Sequence, residues 1–81
     1  MKTKIMGITI KNRKEKAVLF QAILTEYGSY IQTRLGTLDP NCAECGIIIL
    51  QLQCSDDIAQ IIAQKLEAIE GILVSLMDLR M

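Results

Sequence analysis

Hydrophobic and polar positions along the chain predict six elements in the order strand, helix, strand, strand, helix, strand. The strands are marked by β-branched residues and by alternation with a period of two. The helices are marked by apolar residues three and four positions apart. The predicted strands cover residues 5–10, 30–38, 47–53 and 72–79, and the predicted helices cover residues 14–27 and 57–69.

This order of elements predicts an α+β, ferredoxin-like domain that spans residues 1–81. A split β-α-β-β-α-β unit closes into a four-stranded antiparallel sheet of order 4-1-3-2, with both helices on one face. Helix ends are predicted from capping residues: Asn12 caps the first helix, Ser55 or Asp56 caps the second, and Gly28 adopts a left-handed conformation after the first. Length alone limits the chain to one domain.

The helix-covered and open faces of the sheet are both predicted to be apolar. If Ile48, Leu50 and Leu52 point toward the helices, their neighbours on the strand point to the open face, where polar residues are the norm. An exposed apolar patch of this kind marks an interface. We therefore predict homo-oligomerisation through the open face, with the interface residues Ile47, Ile49, Leu73, Met77 and Leu79.

Composition excludes several classes of function. Nine basic and nine acidic residues cancel, so the chain lacks the basic footprint of a DNA- or RNA-binding domain. Histidine is absent, which removes the side chain most used for acid–base catalysis, and we predict no enzyme activity. The longest apolar run, residues 47–50, is far shorter than a membrane span, and no signal peptide is recognised, so we expect a cytoplasmic protein with no membrane partner.

Three cysteines supply the most distinctive chemistry. Cys42 and Cys45 have the spacing of a metal or redox dithiol, and we place both in the loop between the second and third strands. They are candidates for a metal ion, for a reversible disulfide, or for two thiols without a role. Cys54 is expected to be a buried, inert thiol at the other end of the third strand, roughly 25 Å from Cys45.

Two further groups are candidates for binding a small ligand. Lys11, Asn12 and Arg13 precede the first helix, where free N–H groups and two cations favour an anion, although a solvated loop explains them as well. Arg34 and Gly36 lie on the second strand. Arg34 is suited to a carboxylate, and Gly36 is typical of a bulge or a close backbone approach.

Three stretches of the chain form a recognisable order: residues 23–36, which read Ile-Leu-Thr-Glu-Tyr-Gly-Ser-Tyr-Ile-Gln-Thr-Arg-Leu-Gly, then Lys65-Leu66, and then residues 69–74, which read Ile-Glu-Gly-Ile-Leu-Val. This order resembles that of a known family, the iron-only hydrogenase system regulators. The resemblance implies a ferredoxin-like fold similar to ACT domains and to the C-terminal domain of the nickel-responsive regulator. It also implies a dimer or dimer of dimers that binds a small effector. The chain departs from the family pattern after Gly36, and Cys42 and Cys45 are not part of that pattern.

These observations lead to two hypotheses about function. The first is a non-enzymatic, homo-oligomeric regulatory domain that binds a small effector, in the context of a hydrogenase system. The alternative is a thiol-based metal or redox sensor that uses Cys42 and Cys45. The sequence does not distinguish between them.

Overall fold

The structure, a computed structural model, describes residues 2–80, and it contains all six predicted elements. Four strands and two α-helices alternate in the predicted order, and a short 3₁₀ turn over Gly28–Tyr30 precedes the second strand. The elements are β1 (Lys2–Ile10), α1 (Arg13–Glu26), β2 (Ile31–Asp39), β3 (Cys42–Cys54), α2 (Asp56–Glu67) and β4 (Ile72–Asp78).

The strands form one antiparallel sheet of order β2-β3-β1-β4. This is the order predicted from the sequence, and it confirms the ferredoxin-like fold. Across β3, β1 and β4, Leu50 pairs with Met6 and Met6 pairs with Leu76. Paired residues point to the same side, so the two faces of the sheet can be read from one register.

The core lies between the sheet and the two helices. Met6 on β1 and Leu50 on β3 are inaccessible to solvent, as are Ile62 and Leu66 on α2. Ile61 on α2 is exposed although it is apolar, because α2 turns Ala59 and Ala63 toward the sheet. Small residues there let the helix approach the strands closely. The buried core comprises Met6, Ile8, Ile10, Phe20, Leu24, Ile48, Leu50, Leu52, Cys54, Ala59, Ile62, Ala63, Leu66 and Ile72.

The helix ends confirm one capping prediction and correct two. The Ser55 hydroxyl accepts a hydrogen bond from the backbone N–H of Ile58, as predicted for an N-cap. Asn12 stands at the N-cap position of α1, but its left-handed backbone (φ 52°) leaves its side chain without a capping hydrogen bond to any described residue. The prediction of a left-handed Gly28 is wrong, because Gly28 begins the 3₁₀ turn instead and has no positive φ.

The loop predicted between β2 and β3 is much shorter than expected. Residues 42–46 belong to β3, and only Pro40 and Asn41 form the turn. The backbone N–H of Asn41 donates to the Asp39 carboxylate at 2.8 Å, so the aspartate side chain closes the turn. Cys42 and Cys45 therefore lie on a strand and not on a loop.

Gly71 joins α2 to β4 with a backbone that disfavours any other residue. Its φ is 89°, and a Cβ there would lie 3.3 Å from Cβ of Lys11. We expect Gly71→Ala to lower the free energy of unfolding by about 1–2 kcal/mol, the cost of a left-handed conformation for an L-residue. Urea unfolding measures this change. Gly36→Ala is the control, because Gly36 has no positive φ and its added Cβ meets no described atom within 4 Å; equal losses in the two variants would contradict the prediction.

Candidate functional site

The open face of the sheet carries rows of aliphatic side chains across all four strands. One row joins Leu35, Ile49, Gly7 and Ser75, from β2 to β4. The adjacent rows are Thr37, Ile47, Thr9 and Leu73 on one side, and Thr33, Gln51, Ile5 and Met77 on the other. Leu73 is 68% exposed and Met77 is 55% exposed, so large apolar groups meet solvent here.

All five residues predicted for the interface lie on this open face. Leu79 follows β4, and its backbone N–H donates to the Thr3 carbonyl, which continues the same register. Sequence reasoning missed a sixth, Leu35, which is exposed on the edge strand beside Ile49. Apolar and polar residues alternate imperfectly along β2, so the sequence did not show which face Leu35 is on. Its pairing with Ile49 on β3 places it on the open face.

Among residues 3–80, the strands place one charged side chain on the open face, Asp39, which lies at the hairpin end of β2 and follows the parity of Leu35 and Thr37. Four of its polar side chains bond in two pairs along the surface: the Thr33 hydroxyl donates to Gln51 at 3.1 Å, and the Gln53 amide donates to the Thr3 hydroxyl at 2.6 Å. Groups that already have partners can be buried without the desolvation cost of an unpaired polar atom. The face is therefore suited to being covered.

Cys42 and Cys45 form a disulfide at the edge of the sheet, with their Cα atoms 5.3 Å apart. The pair stands where β3 departs from regular pairing with β2, between Leu38 and Asp39. Both cysteines are half-buried. Of the three readings left open by the sequence, the structure contains the disulfide.

A metal ion at Cys42 and Cys45 finds no complete ligand set within one chain. Within residues 2–80, no three histidine, cysteine, aspartate or glutamate side chains are grouped closely enough to hold one. Cys54 lies at the opposite end of β3, buried among core residues, as predicted. Burial raises the pKa of the Cys54 thiol, which keeps it protonated and unreactive.

The anion-binding candidates divide between two grooves. Asn12 and Arg13 line a groove of about 410 Å³ with Lys14, Glu15, Leu38, Ala43 and Glu44. Lys11 lies in a second groove of about 360 Å³, together with Thr9, Ile10, Asp39, Cys45, Gly71, Ile72 and Leu73. The predicted trio is therefore not one site, because the left-handed backbone at Asn12 separates Lys11 from Arg13.

Arg13 is held against the sheet by the absence of a side chain at Gly46. A Cβ at Gly46 would lie 2.6 Å from Cδ of Arg13, so the arginine stem crosses the strand there. Sequence reasoning did not single out Gly46. Its role follows only from the approach of α1 to β3.

Arg34 and Gly36 lie on the helix side of β2, beyond the part of the sheet that the helices cover. Both are exposed, and neither lines the two grooves. The interpretation of Gly36 as a bulge or close approach is wrong, because it pairs regularly with Ile48 and has open space around it. Arg34 pairs across the strands with Leu50 and remains available to a partner molecule.

Lys4 is a buried cation that the sequence analysis did not identify. It points to the helix side of β1, its side chain is 3% exposed, and its Nζ donates to Asp56 on α2 and Asp78 on β4. These hydrogen bonds, to Asp56 first and then Asp78, raise the pKa of Lys4 above its ordinary value. Lys4 thus links β1 to α2 and to β4 by hydrogen bonds, at the end of the sheet opposite the β2–β3 hairpin.

The raised pKa of Lys4 predicts a loss of stability in alkaline solution. Its contribution is fully present below the ordinary lysine pKa of 10.5 and is lost as the pH rises through the higher value of the folded state. Lys4→Met removes this ionisation. We expect the wild-type free energy of unfolding to fall more steeply than that of Lys4→Met above pH 10.5, measured by urea titration; parallel curves would contradict the assignment.

The fold and its open face define a small ferredoxin-like domain with an exposed apolar sheet face. No helix in the described part of the chain is long and apolar enough to cross a membrane. Residues 2–75 match the TM1266-like family, described as "Iron-only hydrogenase system regulator, putative". The chain belongs to this family, as its residue order indicated.

Solved structures agree with this assignment. The structure of the uncharacterized protein TM1266 from Thermotoga maritima has a TM-score of 0.88, with 23% identity over 98% of both chains. A formyltetrahydrofolate deformylase from Pseudomonas putida KT2440 has a TM-score of 0.61 and 18% identity, covering 91% of this chain but 28% of the enzyme. At such identities both likenesses concern the fold. No curated protein matches the chain.

Proposed function

We propose that this protein is a non-enzymatic regulatory domain that works as a homo-oligomer, assembled through its open sheet face. The observation that carries the proposal is the combination of apolar exposure and sparse charge on that face, where Asp39 at the hairpin end is the single charged strand residue among residues 3–80. Two copies can oppose the uncharged centre of the face without placing like charges together there, whereas steering of a different protein normally uses charge. The family description supports a regulator, and a hydrogenase system is its proposed context, in the cytoplasm.

The centre of the open face offers a place for side chains of a second copy. Gly7 lies between Ile49 and Ser75 in the middle row, and nothing stands within 4 Å of the Cβ position it lacks. Leu73 and Met77 stand on either side, along β4. Packed sheets lie about 10 Å apart, so large side chains of one copy can fill such a depression in the other. A dimer satisfies this geometry, and a dimer of dimers requires a second interface elsewhere on the chain.

Static light scattering at micromolar concentration tests the assembly. The expected mass is twice the 9.0 kDa of one chain, or four times it for a dimer of dimers. A constant mass of one chain across the concentration range would refute the proposal.

The groove beside Arg13 is the proposed site for a small effector that carries an anionic group. Arg13 and Lys14 supply two cations, Glu15 and Glu44 line the same groove, and Leu38 supplies an apolar wall. No ion pair engages either cation within residues 2–80, so their charges are available to a ligand. Because nine basic and nine acidic residues balance in the sequence, the proposed signal passes through a ligand or a protein partner and not through nucleic acid.

A thermal-shift screen over amino acids and nucleotides tests for the effector. A ligand at 100 times its Kd stabilises the folded state by about 2.7 kcal/mol. Arg13→Gln is the matched variant and is expected to abolish the shift, while Arg34→Gln, outside the groove, keeps it. The reverse pattern would place the ligand on β2.

A redox sensor is the second candidate function, favoured by the disulfide between Cys42 and Cys45. Both cysteines are half-buried at the hairpin end of the sheet, and Cys45 lines a groove through which an external thiol can reach the pair. Incubation with glutathione buffers of varied ratio, followed by alkylation and mass spectrometry, tests this function. Reduction of the pair within the range of the buffers supports a sensor, and a pair that stays oxidised in excess thiol argues against one.

A further inference from the structure

The Cys42–Cys45 disulfide closes a bulge at the tip of the β2–β3 hairpin. Leu38 pairs with Gly46, but its neighbour Asp39 pairs with Cys42. Two adjacent residues of β2 therefore face two residues of β3 that are four positions apart. Residues 43–45 of β3 therefore have no paired residue on β2, and the disulfide joins Cys45 to Cys42, the residue just before them.

This bulge is incompatible with an extended strand. Three residues of regular strand span roughly 10 Å, whereas Cα of Cys42 and Cα of Cys45 are 5.3 Å apart. The disulfide can exist only while residues 42–45 fold back on themselves. Breaking it removes the covalent requirement for the bulge.

The turn at the hairpin tip does not itself favour the observed pairing. Two-residue hairpin turns match strand twist best when a central residue has positive φ. Within residues 2–80, positive φ occurs only at Asn12 and Gly71, so Pro40 and Asn41 form an unprimed turn. Such turns splay the strands, and the adjoining bulge accommodates the mismatch.

A second register is available to the same residues. If the pairing of Leu38 with Gly46 continued regularly, Asp39 would face Cys45 and Pro40 would face Glu44. Residues 41–43 would then form a three-residue loop, which is common in hairpins. Pro40 is tolerated there, because β2 is an edge strand.

We propose that reversible thiol–disulfide exchange at Cys42 and Cys45 selects between these two registers of the hairpin. When the pair is oxidised, the disulfide keeps the hairpin in the bulged register. When the pair is reduced, the hairpin can adopt the regular register. The reductant is a dithiol: one of its thiolates attacks a sulfur of the pair, a mixed disulfide forms, and its second thiol displaces the remaining cysteine. Two electrons and two protons pass to the cysteine pair, and the dithiol leaves as a disulfide.

Cys45 is the sulfur placed for attack. It lines the groove of about 360 Å³ that also contains Lys11 and Leu73 at the end of the open face. On the opposite side, Ala43 and Glu44 line the groove that holds Arg13. A change of register therefore moves residues that line both grooves. In this way the redox state of the cysteine pair would change the shape of the two grooves.

The inference rests on the second candidate function, a redox-responsive cysteine pair. One NMR experiment tests the redox response and the change of register separately. Wild-type protein is studied oxidised and after treatment with dithiothreitol, with native alkylation as the check on the thiols. Two alkylated cysteines per chain are expected after reduction, since Cys54 is buried. Cross-strand proton contacts between Asp39 and Cys42 should disappear, and contacts between Asp39 and Cys45 should replace them. Cys42→Ser/Cys45→Ser should give the reduced pattern without reductant.

Three outcomes would overturn the inference. If dithiothreitol does not reduce the folded protein, the sensor function fails together with the register change. If two cysteines become alkylated but Asp39 still contacts Cys42, the pair is redox-active and only the register change fails. If reduction abolishes all contacts of Asp39 across the hairpin, the tip melts and does not exchange registers.

Discussion

Leu73→Glu is expected to convert the proposed oligomer into monomers while leaving the fold intact. Leu73 is exposed on the open face of one chain, so a glutamate there is solvated in the monomer. In a symmetric assembly it would be buried, and like charges facing each other across an interface cost several kcal/mol. We expect the dissociation constant to rise roughly 100-fold or more, measured by sedimentation equilibrium, with an unchanged circular dichroism spectrum.

Val18→Glu is the matched control for this prediction. Val18 is 82% exposed on α1, away from the open face. The same charge placed there should leave the dissociation constant within about twofold of the wild type. Dissociation caused by Val18→Glu, with Leu73→Glu inert, would move the interface to the helices.

Leu50→Ala is expected to produce the largest loss of stability. Leu50 lies at the centre of β3 and is inaccessible to solvent. Truncating such a residue removes its transfer free energy and leaves a cavity, at a cost of about 2–5 kcal/mol. In a domain of this size each kcal/mol lowers Tm by about 4–8 °C, so calorimetry should record a fall of roughly 10 °C or more.

The control for the core prediction is Leu19→Ala. Leu19 is exposed on α1, and alanine is the better helix former, so its free energy of unfolding should change by less than about 0.5 kcal/mol. The comparison must be made at one protein concentration, since an oligomer's stability depends on it. A small loss at Leu50 would contradict the position of the core.

The architecture was predictable because its signals are local and repeated. Met6 and Ile8 alternate with smaller or polar neighbours, and Phe20 and Leu24 recur at helical spacing. Each pattern fixes which side of an element is buried, and the order of elements leaves few ways to assemble them. Both faces of the sheet followed from the same alternation.

The details of the site depend on tertiary contacts that no local pattern encodes. Lys4 shares the parity of Met6 and is buried only because Asp56 and Asp78, distant in sequence, approach it. Lys11 and Arg13 are only two positions apart in the sequence, yet they line different grooves on either side of the left-handed Asn12.

The hairpin illustrates the same limit. The spacing of Cys42 and Cys45 indicated a dithiol. The predicted ends of the second and third strands, however, placed both cysteines in a long loop. Whether residues 42–46 pair with β2 depends on the register set by the rest of β3, where Ile48 and Leu50 are fixed by the core. That register pairs Leu38 with Gly46, whereas the short turn at Pro40 and Asn41 pairs Asp39 with Cys42. The residues of β3 between these two pairs have no partner on β2 and form the bulge.

Isotope-filtered NOE spectroscopy tests the central claim, that two copies associate through the open face, most directly. The sample is a mixture of labelled and unlabelled chains at a concentration where light scattering gives the oligomer. The account predicts intermolecular contacts from methyl groups of Leu35, Ile49 and Leu73, and none from Val18 or Leu19 on α1. Intermolecular contacts confined to α1, or none at all, would contradict it.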